Sequence, residues 1–453
     1  MPTQTYDYFV IGTGPAGQSV AEAAARNGKT VGIVDYQPFG GTCTLRGCDP
    51  KLFIHAAAKA MDYVQRLQGK GFTSLPEFSW QDVQAFRATY TDPIPEKTQE
   101  KFDRLEIDAY HGKARFTAPG KLRIDDKVDI EAGRVIIAAG GKPMPFDFPG
   151  AELMKTSDDF LYMDALPKHV VIIGGGYIGS EFAHISRVLG AEVTVIAADN
   201  NPVSQFDRDL NTLLAKAAED RGMTLHFGMK ATEIVETPDG VRVTAEHRDG
   251  TELVVEGSAA FHCAGRAPNI DHLNLKAAGL EHSKKGIKVN NRLATNVPNH
   301  YALGDCADAG LDLTPIANRE ADILINNLFG DATAKIDYYP VPTVAYTLPP
   351  IGSVGMTAEE ADKSKKKYHI NYAETSEDHH NYHQGCPVAG HKIIIDPEKK
   401  TIVGAHLIGA GTEEILNLFA LAIYEETPVA ELRRRLWVYP SGGGKIGSMC
   451  KLD

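Results

Sequence analysis

Two thiols stand close together in Gly40-Gly41-Thr42-Cys43-Thr44-Leu45-Arg46-Gly47-Cys48-Asp49-Pro50-Lys51. Such a pair can cycle between dithiol and disulfide, rest as two buried structural thiols, or supply half of a zinc site. The zinc reading lacks a second close Cys/His pair nearby. On an ideal helix, residues five apart are turned by roughly 140° and separated by about 7.5 Å along the axis. A disulfide needs Cα atoms within roughly 4.4–6.8 Å. The pair therefore closes only where the turn is distorted, and Gly47 and Pro50 make that distortion plausible.

The segment just before the thiols runs from an apolar stretch, Tyr8–Ile11, into Gly12-x-Gly14-x-x-Gly17. A small-residue helix from Ser19 to Arg26 and a second apolar strand, Thr30–Val34, follow, and that strand ends on Asp35. Strand, glycines, helix and acid in this order are the context that dinucleotide binding requires. The glycines let backbone N–H groups approach a pyrophosphate at a helix N-terminus, and Asp35 is placed for a ribose hydroxyl. The unit recurs at residues 170–197 with Gly174-x-Gly176-x-x-Gly179, where Ala197 falls opposite Asp35. Two such units mean two nucleotide domains, or one and a decayed copy.

The chain has 453 residues, with 47 Lys+Arg against 59 Asp+Glu, a net charge of −12. That balance argues against nucleic acid or an anionic membrane as the main partner. Hydrophobic residues at 43% and charged residues at 23% are globular values, which excludes a mainly disordered chain. No apolar run has the length of a membrane span, and no signal peptide is visible, so the expected compartment is the cytoplasm. Six cysteines in this length do not make a disulfide scaffold. Loop-rich stretches at 140–150 and 340–355 mark domain edges. From residue 391 the pattern predicts a β-hairpin, then an amphipathic helix from Glu413 to Tyr424.

With these motifs the sequence resembles the pyridine nucleotide–disulfide oxidoreductases, the group that holds glutathione reductase, lipoamide dehydrogenase and mercuric reductase. The resemblance runs through IIAAGGKP (136–143), GGGYIGSE (174–181), GRAPN (265–269), YALGDCAD (301–308), LTP (313–315), TVAYTLPPIGSVGMTAEEA (343–361) and VGAHLIGAGTEEILNLFALAI (403–423). It implies an α/β fold with two Rossmann-like nucleotide-binding domains and a C-terminal α/β dimerisation domain. The corresponding division is an FAD domain at 1–150, an NAD(P)-type domain at 151–267, a return to the FAD layer at 268–336 and an interface domain at 337–453. It also implies that Gly12, Gly14, Gly17, Asp35, Gly41, Thr42, Lys51, Lys113, Ala114, Ala139, Gly140, Arg266, Asp305 and Thr314 hold FAD. Gly174, Gly176, Tyr177, Gly179 and Glu181 would serve the nicotinamide donor. Cys48 would lie against the flavin as the charge-transfer thiolate, Cys43 would face the substrate, and Lys51 and Glu181 would pair beside the flavin.

The sequence departs from the family in three places. NADPH-using relatives carry an arginine cluster after the second strand of the second unit; here the stretch from Ala197 to Ser204 has no Arg or Lys. The glutamate of NADH-using relatives is replaced by Ala197, although Asp199 could reach a ribose, and on balance NADH is favoured. Relatives that reduce disulfides end in His-Pro-x-x-x-Glu; here Tyr439-Pro440-Ser441-Gly442-Gly443-Gly444 stands there. A tyrosine is a poor general base at neutral pH. Mercuric reductases also carry tyrosine at that position, but end in a Cys-Cys pair where this chain has Cys450 alone. Third, Arg46 and Asp49 occupy usually apolar positions beside the thiols, with opposite effects on thiol pKa.

The expectation is an FAD-dependent dithiol–disulfide oxidoreductase, homodimeric, with catalytic Cys43, Cys48, Lys51, Glu181 and Tyr439 and no metal cofactor. The alternatives are a mercuric-reductase-like metal-ion reductase and a flavin-bearing redox sensor with little turnover. His379, His380, His383 and Cys386 read as a polar loop rather than a metal site, and Arg433-Arg434-Arg435 as a helix end or interface.

Overall fold

The computed structural model describes residues 3–338 and 340–452. The chain groups into two compact units. The first comprises residues 1–53, 82–145 and 265–338; the second comprises 54–81, 146–264 and 339–453.

The first unit is built on β1 (Thr3–Ile11), α1 (Pro15–Arg26) and β2 (Val31–Asp35). The helix starts four residues before the sequence expectation because Pro15 takes its first turn, where a missing N–H costs nothing. Its buried face, Ala16, Val20, Ala21 and Ala24, shares a core with Ala321, Ile323 and Leu324 of the helix Thr314–Phe329. Small side chains here allow close approach of helix and sheet. The sheet order is β3 (Ile107–His111), β2, β1, β6 (Val128–Ile137), β5 (Lys121–Ile124), β4 (Ala114–Ala118). Strand His300–Ala302 pairs in parallel with the end of β6. The four neighbours β3, β2, β1 and β6 are parallel, whereas β5 and β4 form an antiparallel extension. The parallel core carries continuous apolar runs, such as buried Tyr8–Ile11, because both faces are covered.

The second unit repeats the pattern in strand His169–Ile173, helix Tyr177–Val188 and strand Glu192–Ala197. Its parallel sheet is completed by Thr224–Phe227 and Ala259–His262. A three-stranded antiparallel meander follows the sheet strand Thr224–Phe227 in sequence, with strands Met229–Thr237, Gly240–His247 and Glu252–Gly257. The same unit contains a five-stranded antiparallel sheet covered by helix Thr412–Tyr424. The predicted hairpin is present there as Gly390–Asp396 paired with Thr401–Ile408.

The grouping differs from the sequence division at residues 54–81. The helix α3 (Cys48–Arg66) begins in the first unit, but its C-terminal half is anchored in the second. Asp62 is clamped by Arg66 at 2.9 Å and Arg221 at 2.5 Å. Gln65 donates to the Val188 carbonyl, and Arg66 to the Gln384 carbonyl. The stretch read as a polar loop at 379–386 contains a short helix, His379–Tyr382, and Cys386 is buried. Among the described residues, no group of three or more His, Cys, Asp or Glu is arranged to hold a metal ion. No described helix is long and apolar enough to cross a membrane.

Candidate redox-active site

Backbone-to-backbone packing brings the thiol segment to the first glycine loop. Gly41 has φ +79°, and a Cβ there would lie 2.3 Å from the Cα of Gly14. Only glycine fits both the conformation and the contact. Gly41→Ala should therefore push the thiol segment off the nucleotide loop. The expected result is protein that keeps its secondary structure by circular dichroism but is purified with little bound FAD, read from flavin absorbance.

From Gly41 the chain forms α2 (Gly41–Arg46) and breaks at Gly47, whose φ of −148° and ψ of −113° are not helical. The helix α3 then starts directly at Cys48. This break is the distortion that the five-residue spacing demands, and it brings the Cys43 and Cys48 thiols close enough for each to shift the other's ionisation. Both are free thiols, Cys43 half-buried and Cys48 exposed.

The electrostatics separate the two sulfurs. Cys48 is pulled down to about 6, first because the Cys43 thiol donates to it, and then by the Lys51 ammonium and the Thr314 hydroxyl, against burial and the Asp49 charge. The Thr314 Oγ1 lies 3.9 Å from its sulfur. Cys48 also opens a 19-residue helix, whose N-terminal dipole favours an anion. Cys43 is pushed up by the same hydrogen bond and by burial. Asp49, itself raised by burial, accepts a hydrogen bond from Tyr90. Of the two unusual charges beside the thiols, Asp49 opposes ionisation of Cys48, and it is outweighed.

Gly12, at φ +105°, has no room for a Cβ, which would sit 2.1 Å from the Ala138 carbonyl. Gly17 packs on the Gly12 carbonyl in the same way, whereas Gly14 faces open space at the uncapped N-terminus of α1. Asp35 accepts from the Thr13 N–H at 2.8 Å, the Thr13 hydroxyl at 2.7 Å and the Gln37 N–H at 2.9 Å. The Lys113 ammonium lies 5.5 Å over the Tyr36 ring, beside buried Ala114. Asn269 ties this edge together, donating to the Tyr36 hydroxyl and to the carbonyls of Ala139 and Gly140. Arg266 donates to the Gly141 carbonyl at 2.5 Å. Burial raises Asp305 against the pull of Arg266, and burial with the Asp305 charge pushes Asp312 up to about 6. Glu320 accepts from the Gly304 N–H and from the Tyr338 hydroxyl. Sequence reading does not single out Thr13, Tyr36, Asn269, Glu320 or Tyr338, although Thr13 sits inside the first glycine motif and Asn269 ends GRAPN.

In the second unit the glycine geometry is reproduced. A Cβ on Gly179 would meet the Gly174 carbonyl at 2.0 Å, Gly174 has φ +114°, and Gly176 faces open space at the start of its helix. Tyr177 bonds the Thr343 hydroxyl at 2.6 Å and packs edge-on to Phe206. Glu181 is buried and accepts the Tyr346 N–H at 2.8 Å. Tyr439 is 89% exposed. Thus Lys51 stands in the first unit, and Glu181 and Tyr439 stand in the second.

Residues 6–321 match the pyridine nucleotide-disulphide oxidoreductase family, and residues 341–449 match its dimerisation domain. The chain belongs to that family. The expected family, α/β fold and enzyme class are borne out. A curated glutathione reductase from Nostoc sp. is 27% identical over 99% of this chain and 100% of its own. A dihydrolipoyl dehydrogenase from Halobacterium salinarum is 28% identical over 96% and 93%. Among solved structures, the HOCl-induced flavoprotein disulfide reductase RclA from Escherichia coli matches with a TM-score of 0.88 at 24% identity, covering 99% of this chain and 100% of its own. Its Cu(II) complex matches with the same score. This member of the pyridine nucleotide-disulphide oxidoreductases is thus a flavoprotein oxidoreductase acting on sulfur groups. The site fits the family's FAD: an open glycine at an uncapped helix N-terminus suits a pyrophosphate, and Asp35 at the end of β2 suits a ribose.

Proposed function

We propose that the chain is a homodimeric dithiol–disulfide oxidoreductase that takes electrons from a nicotinamide nucleotide and exchanges them, through Cys43 and Cys48, with a thiol or disulfide partner. The observation that carries this reading is the placement of the pair: the break at Gly47 sets Cys43 in one short helix and Cys48 at the start of the next, beside the Thr314 hydroxyl at 3.9 Å, an environment that draws Cys48 toward the thiolate and holds Cys43 toward the thiol. Gly12, Gly14, Gly17, Asp35, Gly41, Thr42, Lys51, Lys113, Ala114, Ala139, Gly140, Arg266, Asp305 and Thr314 would hold FAD, which when bound supplies two-electron exchange with the thiol pair. Gly174, Gly176, Tyr177, Gly179 and Glu181 would hold the donor. We keep the four-part domain division as the functional one.

The pair itself supplies the proton handling that a missing histidine would otherwise provide. As the Cys43 sulfur attacks one sulfur of the acceptor disulfide its proton passes to Cys48 in the same step, so that a mixed disulfide forms and a thiolate is released. The Cys48 thiol gives its proton to that leaving thiolate. The Cys48 thiolate then attacks Cys43, closing the internal disulfide and releasing the second product thiolate. Two electrons pass to the acceptor, and two protein thiols become one disulfide. The test is a thiol count. Anaerobic reduction by one equivalent of nicotinamide donor should expose two new thiols per chain, at Cys43 and Cys48, that disappear on adding a disulfide. Unchanged thiols would overturn the reading.

A second reading, reduction of a soft metal ion, is favoured by the Cu(II) complex of the structural relative RclA and by Tyr439. The thiol pair would bind the metal as substrate. Cu(II)- or Hg(II)-dependent oxidation of the donor that survives when all disulfides are absent would support it.

A further inference from the structure

The absence of any cation between Ala197 and Ser204 favours NADH when the sequence is read alone. The fold brings a cation to that place from elsewhere. The strands Gly240–His247 and Glu252–Gly257 are joined by a tight turn, closed by hydrogen bonds from the His247 N–H to the Thr251 carbonyl and from the Gly250 N–H to the His247 carbonyl. Arg248 in this turn donates to the carbonyl of Ala198 at 3.5 Å. Ala198 directly follows the last residue of strand Glu192–Ala197, the strand end that faces the adenosine ribose in a Rossmann unit. His247 lies against the same loop, its ring 2.9 Å from where a Cβ on Gly228 would be, and Gly228 donates to the Asp199 carbonyl at 2.9 Å.

The neighbouring carboxylates have partners of their own. Asp249 is held by His247 at 2.9 Å and by the Thr251 N–H. Asp199 accepts the Ser204 hydroxyl at 3.2 Å. Arg248 is exposed and forms no ion pair among the described residues. A guanidinium carries five N–H donors in a planar fork, and a single neutral carbonyl leaves most of them available.

We propose that Arg248 reads the ribose 2′ position of the donor and supplies the cation for a 2′-phosphate, so that NADPH is accepted despite the missing arginine cluster. This rests on the donor reading given above, with the nucleotide seated on Gly174, Gly176 and Gly179. Asp199, one residue beyond Ala198, opposes it by charge, and the Ser204 hydroxyl offsets part of that.

The test is binding of adenosine fragments to the FAD-loaded dimer by titration calorimetry, which needs no turnover. The wild type should bind 2′,5′-ADP about tenfold more tightly than 5′-AMP, the scale of one charge-assisted phosphate contact, and the preference should shrink as salt is raised. Arg248→Ala should abolish the preference while leaving 5′-AMP affinity within about twofold; Arg248→Lys should keep part of it. Equal affinities in the wild type, or a preference that survives Arg248→Ala, would overturn the role of Arg248 and leave the donor site standing. If neither fragment binds, the donor reading falls, and this inference with it.

Discussion

Replacing Cys48 by serine should reduce turnover with any disulfide acceptor by about 10³-fold or more, the scale of losing a covalent catalytic group. The same change should erase a distinct pH signature. With Cys48 pulled down to about 6, alkylation of the reduced protein by iodoacetamide should rise through a midpoint near that value. An ordinary thiol would titrate near 8.5. In Cys48→Ser the low midpoint should vanish, because Cys43 loses both its acceptor and its base. In Cys43→Ser it should persist but move up, since the largest stabilising contact to the thiolate is the Cys43 thiol. A depressed thiol pKa stabilises the folded, reduced state fully above the unfolded value near 8.5, and this contribution is lost as pH falls through about 6. Thermal unfolding of the reduced protein should therefore show a pH dependence between those values that Cys48→Ser lacks. A low alkylation midpoint surviving in Cys48→Ser would show that the assignment of the two sulfurs is reversed.

What the sequence shows of this site is what lies within one local segment. The glycines of both loops, the thiol spacing and the acid at the end of β2 are legible because each is dictated by backbone reach over a few residues. Gly47 is legible as a necessary distortion, though not as the particular break between α2 and α3. The ionisation of Cys48 is only half legible. Lys51 stands one turn away in sequence, but the Thr314 hydroxyl comes from far along the chain. The Asn269–Tyr36 contact is equally non-local, and Glu320–Tyr338 joins a helix to a loop beyond its end. The sharpest case is Arg248. A window of residues after a strand holds no cation, yet a β-turn fifty residues later delivers one to its backbone. The compact grouping of residues 54–81 is non-local for the same reason: α3 is one helix, and only the partners of Asp62, Gln65 and Arg66 decide where its second half packs.

Tyr439→His should raise disulfide turnover less than about tenfold, short of the roughly 10²-fold or more that a working acid–base group contributes. The reason lies in the turn that follows. The Ser441 hydroxyl donates to the Val438 carbonyl at 2.6 Å and accepts the Gly444 N–H at 3.0 Å, closing residues 438–444 on themselves. A Cβ on Gly444 would lie 2.6 Å from the Val438 carbonyl oxygen. The position where relatives carry an orienting glutamate therefore has no space for one, and a histidine at 439 would stand without a partner. Adding Gly444→Glu should not complete the pair; it should cost about 1–3 kcal/mol of stability, the range for forcing atoms into filled space. Tyr439 itself lies in an exposed stretch with Leu436 and Val438, within the dimerisation domain. In the proposed homodimer it would shield the interchange thiol without moving protons. Tyr439→Phe should then leave dithiol chemistry unchanged. If that variant instead abolishes Cu(II)-dependent donor oxidation, the hydroxyl is a metal contact and the second functional reading gains. If Tyr439→His alone brings a gain of about 10²-fold or more, the closed turn does not limit catalysis, because the imidazole would be working without the carboxylate that Gly444 excludes.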